Sequence, residues 1–238
     1  ACHNTTLRGD VYSFNGDYAG WAQERLERTH PGATALFEML CGGDQNPHPR
    51  GTLERARTWG QALATEVDRV LEAELDPVTG PVRTAYEETS LEFAPHTRAV
   101  FEEEARHSDP HRRRRAERML GAYDRHRPVR ETPYPVQVVR FGRSLTLVAL
   151  GGEVVIDYAL RLKRTFPGEN LIVAGYSREV MGYIPSRRVL EEGGYEAVES
   201  MIYYGQPGPF QLSVEETVIS AVGRVMEAVG AAPQGSPD

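Results

Sequence analysis

The chain has 238 residues and a formal net charge of −7, and 40% of its residues are hydrophobic and 26% charged. These values are typical of a globular chain that is long enough to bury a core. The acidic balance argues against a nucleic-acid partner. No apolar run reaches the roughly 18–20 residues of a membrane-spanning helix, so we expect no transmembrane segment. Because the chain begins at Ala1 without a visible signal peptide, we expect it to be N-terminally incomplete.

The first third of the chain predicts loops, two helices and one strand. Residues 1–17 are rich in Asn, Thr, Gly and Asp, which is typical of a loop. Apolar residues at helical spacing predict a helix over residues 18–29, and Asp17 is its candidate N-cap. The apolar stretch Ala35 to Leu40 predicts a buried strand. A second apolar face predicts a long helix over residues 52–75.

The middle of the chain is strongly charged. Residues 81–95 predict extended structure, and residues 97–124 predict a helical region that contains four consecutive arginines, Arg112 to Arg115. This arginine run has two interpretations, a contact with an anionic surface or lipid headgroup, or a solvated helix face. The flanking glutamates favour the solvated face.

The last part of the chain, from about residue 135, shows clear strand and helix patterns. Strands over residues 136–141 and 145–150, joined by Gly142-Arg143-Ser144, predict a hairpin. A helix is expected to begin at Gly151-Gly152-Glu153 and to run to about Thr165, and residues 171–174 predict another buried strand. Further on, we expect a loop region over residues 176–210 with a short helix near 186–192, a helix over 214–229 and a disordered tail over 231–238. This order predicts an α/β (mixed α+β) fold in which helices pack on a sheet.

Four loop-like segments carry side chains that could do chemistry: His3, the Asp44–Asn46 loop, Glu153, and the tyrosines Tyr183 and Tyr195. A neutral imidazole such as that of His3 is a good zinc ligand, although a lone histidine is more often only hydrogen-bonded. Glu153 could bind a metal or act as a general base, or it could simply cap a helix. Tyrosines in glycine-rich loops usually pack and donate one hydrogen bond.

Those four segments, in this order, resemble the neutral ceramidase family. His3-Asn4-Thr5-Thr6-Leu7 is similar to a family segment that bears a zinc-binding histidine, and Gly43-Asp44-Gln45-Asn46-Pro47 is similar to the family's Gly-Asp-x-Ser-Pro loop. Gly152-Glu153, after the hairpin, resembles the Pro-Gly-Glu turn of the family. The stretches around Tyr183 and Tyr195 resemble the segment that holds two active-site tyrosines. The similarity spans about residues 1–210.

The resemblance implies a zinc-dependent hydrolase of amide bonds in which water activated by the metal attacks the carbonyl. His3, Glu153 and Tyr183 would be ligands of Zn²⁺. Tyr195 would donate a hydrogen bond to the oxyanion of the tetrahedral intermediate. Asp44 would organise the loop that faces the metal.

The same resemblance implies that residues 1–230 form the C-terminal portion of a ceramidase-like catalytic domain. The substrate would be an N-acyl lipid or a related small amide, and a peripheral membrane contact stays open. A secreted or otherwise extracytoplasmic parent protein is implied as well.

The sequence departs from the family pattern in two ways. The family has a further zinc histidine upstream, in a region that this chain lacks, so the chain alone could bind zinc weakly and be inactive. The family's serine falls at Asn46, which has no hydroxyl nucleophile and could instead position substrate through its amide. Two alternatives therefore stay open, a catalytically inactive ligand-binding relative and a hydrolase of a different small amide or ester.

Overall fold

The computed structural model describes residues 1–232 and shows a mixed α/β fold, as the sequence predicts. Its strands form a four-stranded sheet in the order β1-β2-β3-β5 and a two-stranded sheet of β4 and β6. The strands are β1 (Val82–Glu92), β2 (Glu131–Phe141), β3 (Leu145–Leu150), β4 (Glu153–Val154), β5 (Leu171–Ala174) and β6 (Tyr183–Ile184). The helices are α1 (Asp17–Thr29), α2 (Leu53–Leu71), α3 (Arg98–Glu104), α4 (Pro110–Asp124), α5 (Ile156–Thr165), α6 (Arg187–Glu192), α7 (Ser200–Tyr204) and α8 (Val214–Ala228).

The predicted hairpin is confirmed as the antiparallel pair β2–β3, in which Val138 pairs with Val148. Alternate side chains of both strands are buried, because successive residues of a strand point to opposite faces. Helix α8 packs its apolar face, including Val218 and Val222, against β1 and β2. The main core therefore lies between the sheet and the terminal helix.

The pairing of β3 with β5 positions the functional residues. These two strands are parallel and are joined through α5, which is the usual crossover between parallel neighbours. Parallel strands end at the same edge of the sheet, so the residues that follow Leu150 and Ala174 emerge side by side. The segments that begin at Gly151 and Gly175 meet at this edge.

Two helix boundaries differ from prediction, and one region is confirmed as helical. The helix expected over residues 52–75 ends at Leu71. The region expected to be helical over residues 97–124 contains two helices, because Asp109 caps α4 through the His111 N–H and Pro110 occupies the first helical position. Glu153 does not open a helix, since it lies in β4 and α5 begins at Ile156.

The prediction of a buried strand over Ala35 to Leu40 is wrong. Only Leu40 makes a strand-like bridge, to Ala174, and the Leu36 side chain is 88% exposed. A short apolar run is compatible with a strand, a helix segment or a buried loop. Among the described residues, this run has no neighbouring strand along most of its length.

The region expected to be mainly loop, residues 176–210, contains more regular structure than predicted. The short helix near 186–192 is confirmed as α6, with Ser186 accepting a hydrogen bond from the Val189 N–H as its N-cap. A π-helical turn over Tyr195–Glu199 runs directly into α7, and neither was predicted. Of the predicted tail, Ala231 is buried, and residues 233–238 lie outside the described residues.

Within residues 1–232, two members of the arginine run form ion pairs. Arg115 pairs with the buried carboxylate of Glu104, and Arg112 lies 3.6 Å from the same carboxylate. These contacts connect α4 to α3. The prediction of a solvated helix face fits the exposed Arg114, whereas the Arg115 side chain is only 11% exposed. Within residues 1–232, no helix combines the length and apolar character that crossing a bilayer requires.

Candidate active site

Glu153 stands at the edge of the sheet where β3 ends. Gly152 carries the chain from β3 to Glu153 with a positive φ of 77°, and a Cβ there would lie 2.6 Å from the Ile184 side chain. Glycine meets both requirements, because it has no Cβ and adopts positive φ readily. Pairing of β4 with β6 then places Glu153 directly opposite Tyr183. The result is a carboxylate residue that is only 8% exposed.

The N-terminal loop brings His3 to the same place. The His3 N–H donates to the Gln45 carbonyl over 2.9 Å, and the ring Nε2 lies 3.0 Å from the Gly43 carbonyl oxygen. Gly43 packs so closely that a Cβ on it would lie 2.5 Å from the Glu153 backbone oxygen. These contacts hold the His3 Nε2 3.6 Å from Oε2 of Glu153.

Tyrosines surround the Glu153 carboxylate. The Tyr176 hydroxyl donates to Oε2 over 3.0 Å, and the Tyr204 hydroxyl donates to Oε1. The Tyr183 ring lies between two predicted site residues, with ring centroids 6.4 Å from His3 and 5.6 Å from Tyr195. The structure thus brings together the predicted imidazole, carboxylate and phenol.

The phenols of this cluster stay protonated at neutral pH. Burial, and after it the negative charge of Glu153, raises the pKa of Tyr176 and the pKa of Tyr183 well above their usual range. Burial and the hydrogen bond to Glu153 do the same to the pKa of Tyr204. The pKa of Tyr195 is also raised, mainly by burial. A protonated phenol can donate a hydrogen bond to a carboxylate or to a developing oxyanion.

Two further predicted site residues, Asp44 and Asn46, bond to groups outside the cluster around Glu153. The Asp44 carboxylate accepts a hydrogen bond from the Ile156 N–H, at the first residue of α5. The Asn46 amide oxygen accepts from the Thr5 hydroxyl over 2.8 Å and from Arg50 over 2.9 Å. Both side chains therefore hold the loop that carries Gly43 and contacts His3.

Sequence reasoning missed Tyr176 and Tyr204. Tyr176 follows β5 after a single glycine, so the rule that parallel strands end at one edge could have identified it. The sequence held no comparable signal for Tyr204. The face of α7 on which its side chain lies depends on the π-helical turn that precedes α7, and that turn was not predicted. A π-helical turn in a helix is often found at a functional site.

Within residues 1–232 there is no cluster of three or more His, Cys, Asp or Glu side chains with the spacing of a metal site. Tyrosine hydroxyl oxygens, which lie outside those four residue types, add possible metal donors beside His3 and Glu153. The Tyr176 hydroxyl lies 3.4 Å from both ring nitrogens of His3, and the His3 Nε2 lies 3.6 Å from Glu153 Oε2 and 3.0 Å from the Gly43 carbonyl oxygen. Ligands about 2.0–2.1 Å from a tetrahedral ion stand roughly 3.3–3.5 Å apart, so the types of donor and their separations suit a zinc ion once the His3 ring turns away from Gly43.

No protein-family model matches the sequence, and no curated protein is similar to it. A solved structure described as "Ceramidase complexed with C2" has a similar fold, with a TM-score of 0.63 and 14% sequence identity. The similarity covers 100% of this chain and 46% of that chain. The chain therefore has a ceramidase-like fold and spans a little under half of the length of that structure.

Proposed function

We propose that this chain is the C-terminal portion of a divergent neutral ceramidase-like catalytic domain, formed by residues 1–230, that hydrolyses amide bonds with the help of Zn²⁺. The observation that carries the proposal is the convergence of His3, Glu153 and Tyr183 from three distant segments on one sheet edge. The ceramidase-like fold supports the same class of reaction.

In this proposal His3, Glu153 and Tyr183 hold the zinc ion. When bound, zinc polarises an amide carbonyl and lowers the pKa of a water molecule. Tyr195, whose ring packs against Tyr183 and whose side chain is half exposed, donates a hydrogen bond to the oxyanion that forms from the substrate carbonyl. Asp44 supports the site from a distance, because its hydrogen bond to α5 keeps the loop of Gly43 against β4.

The proposed substrate is an N-acyl lipid or a related small amide, and the proposed location of the parent protein is extracytoplasmic. A hydrolase of a different small amide or ester is an alternative that a panel of N-acyl, peptide and ester substrates separates. Cleavage of esters alone would exclude the amide substrate.

A second candidate function is ligand binding without catalysis. Asn46 favours it, because the amide has no nucleophilic hydroxyl and its oxygen is already engaged by Thr5 and Arg50. The variant Asn46→Ser separates the two candidates. Amide hydrolysis that appears only in Asn46→Ser supports the binding protein, whereas hydrolysis by the unchanged protein supports the enzyme.

Zinc content tests the proposal. We expect the purified parent protein that contains this chain to hold about one zinc ion per molecule by elemental analysis, and its Glu153→Gln variant, which keeps the shape but not the charge, to lose most of it. A fluorogenic N-acyl amide should be cleaved by the parent protein and not by its Glu153→Gln variant. Purified protein that neither contains nor takes up zinc would contradict the proposal.

A further inference from the structure

We propose that a pocket lined by Arg83, Arg140 and Arg143 binds a phosphate group. Arg143 lies in the turn before β3, whereas the chain reaches the cluster around Glu153 only after β3 ends. The six residues of β3 span roughly 20 Å, so the pocket and the cluster lie at opposite ends of the strand. The proposal is therefore independent of the hydrolase function.

The pocket is a concave site whose charged walls are all positive. Its volume is about 340 Å³, at the lower end of the range for small-molecule sites. Three of its lining residues are arginines and none is acidic, although the chain as a whole carries a net charge of −7. The lining residues are Gly80, Pro81, Arg83, Arg140, Gly142 and Arg143. A pocket with this lining selects an anion.

Strand pairing brings two of the guanidinium groups together. Arg83 stands directly opposite Arg140 in the antiparallel register of β1 and β2. A Cβ on Gly230 would lie 3.0 Å from Arg83 Nη1 and 3.7 Å from Arg140 Nη1, so both side chains reach the same place on one face of the sheet. Like charges that face each other across a strand pair destabilise a sheet. The pair therefore needs negative charge beside it.

Glu169 supplies only part of that negative charge. Its carboxylate accepts hydrogen bonds from Nε and Nη2 of Arg140 and from the Thr146 hydroxyl. Arg140 is neutralised in this way. In the part of the chain that the structure describes, Arg83 and Arg143 form no ion pair and no side-chain hydrogen bond, and both are exposed to solvent. Two positive charges thus remain available on the pocket wall.

A phosphate ester matches the remaining charge. It carries about −1.5 to −2 charges at pH 7, close to the charge of the two available guanidinium groups. A guanidinium group is planar and offers parallel N–H donors that match two phosphate oxygens. Arg83 comes from β1 and Arg143 from the turn between β2 and β3, so a phosphate between them is held from two sides. Its source is a soluble phosphate ester or the headgroup of a phospholipid.

Calorimetric titration of the full 238-residue chain with inorganic phosphate at low ionic strength tests the proposal. We expect Arg83→Gln and Arg143→Gln each to weaken phosphate binding about tenfold, because each removes a charged hydrogen-bond donor. Arg143→Lys keeps the charge and should lose less than Arg143→Gln. The control Arg114→Gln makes the same change of charge at an exposed position in α4 and should leave binding unchanged. Thermal denaturation shows whether each variant is folded.

Vesicles separate the two sources of phosphate. Cosedimentation with vesicles of phosphatidylcholine and phosphatidic acid, but not of phosphatidylcholine alone, identifies a lipid headgroup if Arg143→Gln abolishes it. Phosphate binding without vesicle binding identifies a soluble phosphate ester. The proposal is overturned if the unchanged chain binds no phosphate, if Arg143→Gln binds phosphate as tightly as Arg114→Gln does, or if acetate binds as tightly as phosphate.

Discussion

The Asp44 carboxylate accepts a 2.9 Å hydrogen bond from the backbone N–H of Ile156, a residue 112 positions later in the chain. Ile156 begins α5, where N–H groups have no partner within the helix and the helix dipole favours negative charge. Since the Gly43 N–H also donates to the Val154 carbonyl, the loop is fixed at two points just after Glu153. The residue predicted to organise the loop that faces the metal thus also caps a helix.

Removing this cap should cost stability. We expect Asp44→Ala to lower the free energy of unfolding by about 0.5–2 kcal/mol, because the Ile156 N–H loses its acceptor. Asp44→Asn keeps an acceptor oxygen and should cost less. Urea denaturation followed by circular dichroism measures both variants. Equal stability of the alanine variant and the unchanged protein would show that the cap contributes nothing.

Helices α1 and α2 pack so closely at Gly60 that a methyl group does not fit. A Cβ there would lie 2.4 Å from the Trp21 Cβ and 2.6 Å from the Tyr18 carbonyl oxygen. We expect Gly60→Ala to destabilise the protein by about 1–3 kcal/mol from overpacking, although alanine favours helices. The control is Gly223→Ala in α8, where a Cβ meets open space and should stabilise by about 0.5–1 kcal/mol. Thermal denaturation that moves both variants in the same direction would contradict the packing argument.

A largely buried ion pair connects the sheet to the loop before β5. Arg140 binds both carboxylate oxygens of Glu169, over 2.7 and 3.1 Å, and the buried Thr146 hydroxyl donates to the same carboxylate. Burial opposes the charge of Glu169, but the bonds from Arg140 and Thr146 outweigh it and hold the pKa of Glu169 below its usual range. A lowered pKa in the folded state stabilises the protein above the unfolded pKa of about 4.3.

This pair makes stability depend on pH. We expect Glu169→Gln to lower the free energy of unfolding by about 1.5–3 kcal/mol at pH 7, where the carboxylate is charged. The difference from the unchanged protein should shrink as the pH falls through the folded pKa of Glu169, because that group then becomes neutral too. Glu87→Gln, in a more exposed pair with Arg224, is the control and should cost no more than about 1 kcal/mol. A difference that stays constant down to pH 2 would contradict the assignment.

The sequence predicted most of the elements that bury an apolar face. The hairpin β2–β3, β5 and α8 all follow clear patterns of apolar residues in the sequence. Burial of these apolar side chains in the core determines which elements form, so the patterns predict them. The error at Ala35 to Leu40 arose because an apolar run does not show whether a partner strand exists. The break before Pro110 was visible in the sequence, since Asp-Pro is typical of a helix start.

The site was predictable only in part. The positions of His3, Glu153 and Tyr183 followed from the family resemblance, and the fold brings their rings and carboxylate together. The contacts of Asp44 and Asn46 could not be predicted from sequence. For Asp44, a carboxylate that caps a distant helix and one that faces a metal have the same appearance in a sequence. The position of Tyr204 beside Glu153 depends on a π-helical turn. Such a turn adds one residue to a helical turn, and this leaves no recognisable pattern of hydrophobic residues in the sequence.

Neighbouring tyrosines in α7 allow a matched test of how Glu153 is oriented. The Tyr204 hydroxyl donates to Glu153 Oε1, whereas Tyr203 is 57% exposed and its ring lies 5.1 Å from that of His111. Because a carboxylate ligand is oriented by the groups that donate to it, we expect Tyr204→Phe to weaken zinc binding about tenfold and Tyr203→Phe to leave it unchanged. Chelator competition measures the affinities, and thermal denaturation shows whether the fold is intact. Equal zinc affinities of the two variants would show that Tyr204 does not position Glu153.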